Sequence, residues 1–94
     1  MDLDVLREVY MVIEDRKNHP KQESYVSNLL RDGISRITSK IEEESGELIA
    51  SAHSNEKSEI IHETVDLIFH TLVLLASKNI SFEEILQEFR RRRK

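Results

Sequence analysis

The 94-residue sequence predicts an all-α chain: an antiparallel bundle of four to five helices, completed by pairing with a second copy of itself. Three observations carry that expectation. Apolar residues recur at helical spacing along most of the chain, and no stretch alternates as a strand would. Two glycines and one proline leave few breaks. One expected helix is apolar on nearly every side, which is more surface than so short a chain can cover alone.

The elements follow in order. A first helix is expected from Leu3 to Lys17, with Leu3, Leu6, Val9, Tyr10 and Ile13 on one face. Asn18-His19-Pro20 stops it, because proline disfavours helix at the residue before it. A short helix follows from Gln22 to Arg31, carrying Tyr25, Val26, Leu29 and Leu30, and Asp32-Gly33 marks a bend or cap. A long helix is expected from Ile34 to His53. Ser54-Asn55 interrupts it, and either residue can cap a second long helix from Glu56 to Ser77. Lys78-Asn79 closes that helix. Ser81 and Glu84 form a capping box for a last helix over 82–92. One domain over 1–94 is the default for this length.

Composition excludes several function classes. The absence of cysteine removes disulfide frameworks, thiolate zinc sites and cysteine nucleophiles, and suits a reducing cytoplasm. The charged, amphipathic start MDLDVLREVY is unlike a signal peptide. No apolar run approaches the roughly 18 residues of a membrane span, so no membrane is expected. A net charge of −4 argues against a nucleic-acid partner. The charge is also uneven. Between Ile41 and His70 there are eight acids and one base, Lys57, whereas the chain ends RRRRK. That terminal run is expected on a solvated helix end, where cations favour the dipole.

The acids fall in two groups. With about 100° per residue and Ile41 set at zero, Ile34, Ile37, Leu48 and Ala52 form a buried stripe. Glu44 lies about 60° to one side, with Lys40 and Glu47 further round that edge at about 100° and 120°. Glu43 faces nearly away. On the next helix Ile61, Val65, Leu72 and Leu75 cluster around Ile68, and Leu67, Phe69, Val73 and Leu74 extend the apolar surface. Its one polar strip is Glu59, Glu63, Asp66 and His70, spaced four, three and four, which stays on one face. Carboxylates in a buried helix are costly unless paired, protonated or metal-bound. A short connection makes the two helices an antiparallel hairpin, so Glu44 and Glu47 face Glu63 and Asp66. Four oxygen donors suit a hard cation, Mg²⁺ or alternatively Mn²⁺. The plain alternative for EEESGE is a solvated acidic face.

The pattern EExxE (Glu43, Glu44, Glu47), followed after fifteen residues by ExxD (Glu63, Asp66), resembles the signature of the all-α NTP pyrophosphatase superfamily, the MazG-like fold. SYVSNLLRDG (24–33), KIEEESGEL (40–48) and ETVDLIFHTLVLLASKNISFEEILQEFRRR (63–92) narrow that resemblance to the phosphoribosyl-ATP pyrophosphohydrolase family of histidine biosynthesis. Such a resemblance implies Mg²⁺-dependent cleavage of the α–β phosphoanhydride of phosphoribosyl-ATP, giving phosphoribosyl-AMP and pyrophosphate. It also implies a homodimer with its active site near the subunit boundary. Ser45-Gly46 departs from the family pattern and costs the helix about 1 kcal/mol relative to alanine.

Glu44, Glu47, Glu63 and Asp66 are therefore the expected catalytic metal ligands. Glu43 is either an outer-shell base or solvated. Lys40 either contacts a phosphate or pairs with Glu44. His70 is either a satisfied core residue or orients a ligand from behind. Ser24 and Tyr25 match the family's SYT-like segment as substrate contacts, with a core role the alternative for Tyr25. His53 and His62 show no coherent pattern. Three rivals remain: a MazG-like enzyme clearing unwanted nucleoside triphosphates, a di-iron carboxylate bundle, and a non-catalytic helical module. The di-iron reading needs two Glu-x-x-His pairs, and only Glu59–His62 is present.

Overall fold

The computed structural model describes residues 4–93. Five helices follow one another: α1 (Asp4–Asn18), α2 (Tyr25–Asp32), α3 (Ile34–Ser54), α4 (Lys57–Ser77) and α5 (Phe82–Arg92). No strand occurs among the described residues. Leu3, assigned above to the first helix, and Lys94, the last residue of the basic tail, lie outside them.

Helix boundaries trace to local chemistry. α2 starts at Tyr25 rather than Gln22 because Ser24 is extended and its Oγ accepts from the Ser27 N–H at 3.1 Å, an N-cap that fixes the first turn. Gly33 ends α2 at φ +98°, a region that favours glycine, and its N–H bonds the Leu29 carbonyl. The α3–α4 joint corrects the expectation that Ser54 or Asn55 caps α4. Ser54 Oγ instead donates back to the Ser51 carbonyl, and Asn55 ends α3 in the left-handed conformation at φ 60°. Glu56 takes the N-cap position without a side-chain cap bond. The capping box at α5 is present in full: Glu84 N–H donates to Ser81 Oγ and Ser81 N–H to Glu84 Oε2.

α3 and α4 form an antiparallel hairpin. α1 packs against α4 and α2, and α2 also crosses α3. The core is Tyr10 and Ile13 of α1, Val26 and Leu29 of α2, Ile37 of α3, Leu72, Val73 and Ala76 of α4, and Phe82 of α5. Tyr10 adds a hydrogen bond to the Ile80 carbonyl, and Lys17 donates to the Ala76 carbonyl, tying α1 to the end of α4.

All of this apolar core lies at one end of the hairpin. Between Ile37 and Leu72 the only buried residues are polar: Glu44, Ser51, Glu63 and His70. The stripe expected to be buried on α4 is only half so. Leu72 is buried and Leu75 partly, but Ile61, Val65 and Ile68 are exposed, at 55%, 60% and 41%. On α3, Ile37 is buried and Ile41 and Leu48 partly, whereas Ile34 and Ala52 are exposed. The radius of gyration, 14.4 Å, exceeds the ~12 Å of a compact chain this long. The surface, 6899 Å², exceeds the ~5,600 Å² usual for this mass. Half the hairpin thus stands clear of the other helices.

One expectation from composition needs correction. α4 is long and apolar enough to cross a membrane. It carries two buried polar residues, Glu63 and His70, which are rare and costly on a lipid-facing helix.

Candidate active site

The hairpin sets the register of the acids. Glu47 and Glu63 are equidistant in sequence from Asn55, and so are Glu44 and Asp66. Antiparallel packing therefore brings each pair to one level. The Glu47 carboxyl lies close enough to Glu63 to raise its pKa, and Asp66 lies near enough to Glu44 to act on its charge. Those cross-helix approaches agree with the helical-wheel expectation, but of the four acids Glu63 and Asp66 are the two that bring ligand atoms within 4.8 Å of one another, together with His62.

Glu44 and Glu63 are only 5% and 6% exposed, and Oε1 of each lacks a hydrogen-bond donor. Leaving a buried charged acceptor unpaired is costly. Burial accordingly raises both carboxyls above their ordinary value. Glu44 is restrained by nearby His70 and pushed further by Asp66. Glu63 is pushed further by the Glu47 carboxyl.

His70 links three helices. Its Nδ1 lies 3.0 Å from the Asp66 carbonyl and 2.6 Å from Glu44 Oε1, and its Nε2 lies 2.7 Å from the Tyr25 hydroxyl. A carbonyl only accepts, so Nδ1 carries a proton and directs it to the backbone. The Glu44 oxygen lies beside the same Nδ1 and interacts with it chiefly by charge. With neutral imidazole, Nε2 then accepts from Tyr25. The Tyr25 and Phe69 rings meet His70 edge-on. His70 is thus both buried and in contact with a predicted ligand, which combines the two alternatives raised from sequence. Tyr25 is 46% exposed, so a core role does not describe it.

The remaining candidates are placed as follows. Lys40 Nζ bonds Glu43 Oε1 at 2.9 Å, not Glu44, and this pairing holds the exposed Glu43 carboxyl below its usual range. Ser24, besides capping α2, lines an open cavity of about 530 Å³ with Arg16, Lys21, Gln22 and Glu23. His53 is exposed. His62, for which the sequence showed no pattern, has Nε2 3.2 Å from Asp66 Oδ2. The signal available was its i,i+4 spacing to Asp66. In the basic tail Arg91 and Arg92 both pair with Glu88, on the exposed last turns of α5.

Chemically, these carboxylates, with no lysine or arginine among them, are of the kind that could hold a cation. Oxygen donors of this kind fit Mg²⁺ or Mn²⁺.

Known proteins are similar to this chain over nearly all of its length. The family described as phosphoribosyl-ATP pyrophosphohydrolase matches residues 6–93. A phosphoribosyl-ATP pyrophosphatase of Methanocella arvoryzae is 54% identical, over 97% of this chain and 98% of its own length. Another, from Methanococcoides burtonii, is 48% identical over 98% of this chain and 95% of its own. A histidine biosynthesis bifunctional protein of Thermoanaerobacter pseudethanolicus is 43% identical over 89% of this chain but only 39% of itself, so there the matching segment is part of a longer protein. With a family match spanning all five helices and relatives aligned nearly end to end, the chain belongs to the phosphoribosyl-ATP pyrophosphohydrolase family.

Proposed function

We propose that this chain hydrolyses the α–β phosphoanhydride of phosphoribosyl-ATP to phosphoribosyl-AMP and pyrophosphate, the second step of histidine biosynthesis. Mg²⁺ is its proposed cofactor, with Mn²⁺ able to replace it, and the cytoplasm its proposed location. Family membership supports the reaction. One structural observation supports the metal: a buried Glu63 Oε1 without a hydrogen-bond donor, on the helix facing the buried Glu44, whose Oε1 has the His70 ring beside it at 2.6 Å.

Glu44, Glu47, Glu63 and Asp66 would hold the cation. When bound, such an ion offsets charge on the transferring phosphoryl group and acidifies a water. The protein's own part is mostly placement. His70, fixed by Tyr25 and by the Asp66 carbonyl, keeps the Glu44 carboxylate in register with α4. Lys40 is proposed as a phosphate contact, since its ammonium has donors beyond the one on Glu43. Glu43, exposed and paired with Lys40, is a poorer candidate for a base. Ser24 and Tyr25 are proposed substrate contacts, with Arg16 and Lys21 beside Ser24 suited to a phosphate.

A homodimer, each chain acting as one domain, is part of this reading. Its support is the exposed Ile61, Val65 and Ile68 of α4, continuous with a groove of about 720 Å³ lined by Leu6, Leu72, Leu75, Phe82 and Phe89 among others. Light scattering on Val65→Glu is expected to give a monomer where the parent gives a dimer.

The deciding assay measures pyrophosphate released from phosphoribosyl-ATP and from a panel of NTPs and dNTPs, with and without Mg²⁺. Metal-dependent turnover of phosphoribosyl-ATP above the panel is expected. Hydrolysis of the panel but not of phosphoribosyl-ATP would give the site to a house-cleaning pyrophosphatase instead.

A further inference from the structure

The α4 carboxylates have a neighbour that the proposed chemistry does not use. His62, Glu63 and Asp66 each offer a ligand atom, and these atoms lie within 4.8 Å of one another. Asp66 sits between the other two on the helix surface, since successive residues turn about 100°. His62 Nε2 is 3.2 Å from Asp66 Oδ2. That is close to the edge of an octahedron with bonds of ~2.1 Å, where adjacent ligands are ~3.0 Å apart. The imidazole is well exposed, with 68% of its side chain accessible, so its ring is free to adjust. Beside it Glu63 is 94% buried by the same measure that leaves it 6% exposed, and its Oε1 has no donor.

We propose that His62 supplies a nitrogen ligand at the solvent-facing end of the carboxylate site, so that Mn²⁺ and later divalent metals bind more tightly than the carboxylates alone would hold them, while Mg²⁺ binds through the oxygens. The inference rests on the metal reading above and adds a residue to it. Four carboxylates alone make an all-oxygen site suited to Mg²⁺, which keeps oxygen ligands and several waters. An imidazole nitrogen shifts preference along the first transition row. The competing account is a plain i,i+4 contact between His62 and Asp66 on a wet surface, worth little and involving no metal.

The test uses the full chain, stripped of metal and titrated with MnCl₂. Pulsed electron paramagnetic resonance on the bound Mn²⁺ reads whether an imidazole nitrogen is coordinated. Wild type is expected to show nitrogen coupling and His62→Ala to lose it, while His70 remains in both proteins. The variant's Mn²⁺ affinity is expected to fall by about tenfold, the lower end of losses when groups around a metal are removed. Its Mg²⁺ affinity is expected to fall less. Bound Mn²⁺ without nitrogen coupling, or coupling that persists in His62→Ala, would overturn the role of His62 and leave the carboxylate site standing. Failure of wild type to bind either cation would overturn both.

Discussion

The two halves of the α3–α4 hairpin are built on opposite rules. At one end Ile37 and Val73 are fully buried among α1 and α2, and the interior is apolar. Toward the turn the buried positions are Glu44, Ser51, Glu63 and His70, while Ile61, Val65 and Ile68 of α4 face outward. One pair of helices thus carries a region that stabilises the chain and a region that strains it. The second is tolerable because the first is well packed: aggregation of apolar side chains offsets the cost of holding acids out of water. Such a division is what a site under selection for chemistry rather than stability would show.

The comparison breaks most sharply at Glu63. Glu63→Gln removes one buried charge and one proposed ligand. Turnover is expected to fall by about 10³-fold, as when a group aimed at transition-state charge is lost. In chelator, however, the variant is expected to melt at or above the parent temperature, because the uncompensated acid is gone. Pyrophosphate release and thermal melting on the same sample check both halves. A variant that is inactive and also much less stable would place Glu63 among the structural residues.

Leu29→Ala probes the other end. Its side chain is fully buried on α2, far in sequence from the acids. A loss of 2–5 kcal/mol, about the usual cost of a leucine cavity, is expected in urea unfolding. Turnover measured well below the melting temperature is expected to stay near that of the parent. A large loss of turnover with little loss of stability would dissolve the division between the two halves.

Acidity separates the halves in a third way. Burial raises the Glu44 and Glu63 carboxyls above the ordinary 4.5, so the folded chain keeps protons that the unfolded chain releases. Metal-free protein is therefore expected to hold this contribution in full below pH 4.5. It is expected to lose it as pH rises through the raised folded values. The pairs Glu43–Lys40 and Glu88–Arg91 act oppositely, since their acids are depressed, and matter only as pH falls below 4.5. Mg²⁺ at about 100 times its dissociation constant is expected to add about 2.7 kcal/mol and to cancel the decline toward neutral pH. Melting curves in chelator and in Mg²⁺ across pH 4–8 test this. A chelated protein whose stability climbs with pH over that range would refute it.

How much of this was legible beforehand differs between the halves too. Helical periodicity placed all five helices to within a few residues, because spacing and stop signals are local properties. It also put Glu44 and Glu47 opposite Glu63 and Asp66, because a short joint leaves an antiparallel pair little freedom. What it missed depends on contacts between distant residues. Nothing local to Tyr25 says that its hydroxyl reaches His70, since α2 must first fold across the hairpin. Nothing local to Ile61 or Val65 says that they face out, since hydrophobic pattern marks what is to be covered, not which chain covers it. Lys40 was open between a phosphate contact and a pairing with Glu44, and side-chain geometry gave it a third partner, Glu43, one turn along the same helix.

The smallest expected effect sits between two proposed ligands. Gly46 lies inside α3, flanked by Ser45 and Glu47, in a conformation that needs no glycine: the only glycine with positive φ is Gly33. A methyl group added at Gly46 would meet nothing within 4 Å. Alanine there removes backbone freedom from the unfolded chain and restores helix propensity, so Gly46→Ala is expected to stabilise by about 0.4–1 kcal/mol. In a chain this size that raises the melting temperature by a few degrees, roughly 4–8 °C per kcal/mol. If the glycine serves only as an accident of sequence, turnover will not change. If turnover falls while stability rises, the bare half of the hairpin needs its flexibility, and the contrast between the two ends extends from packing to motion.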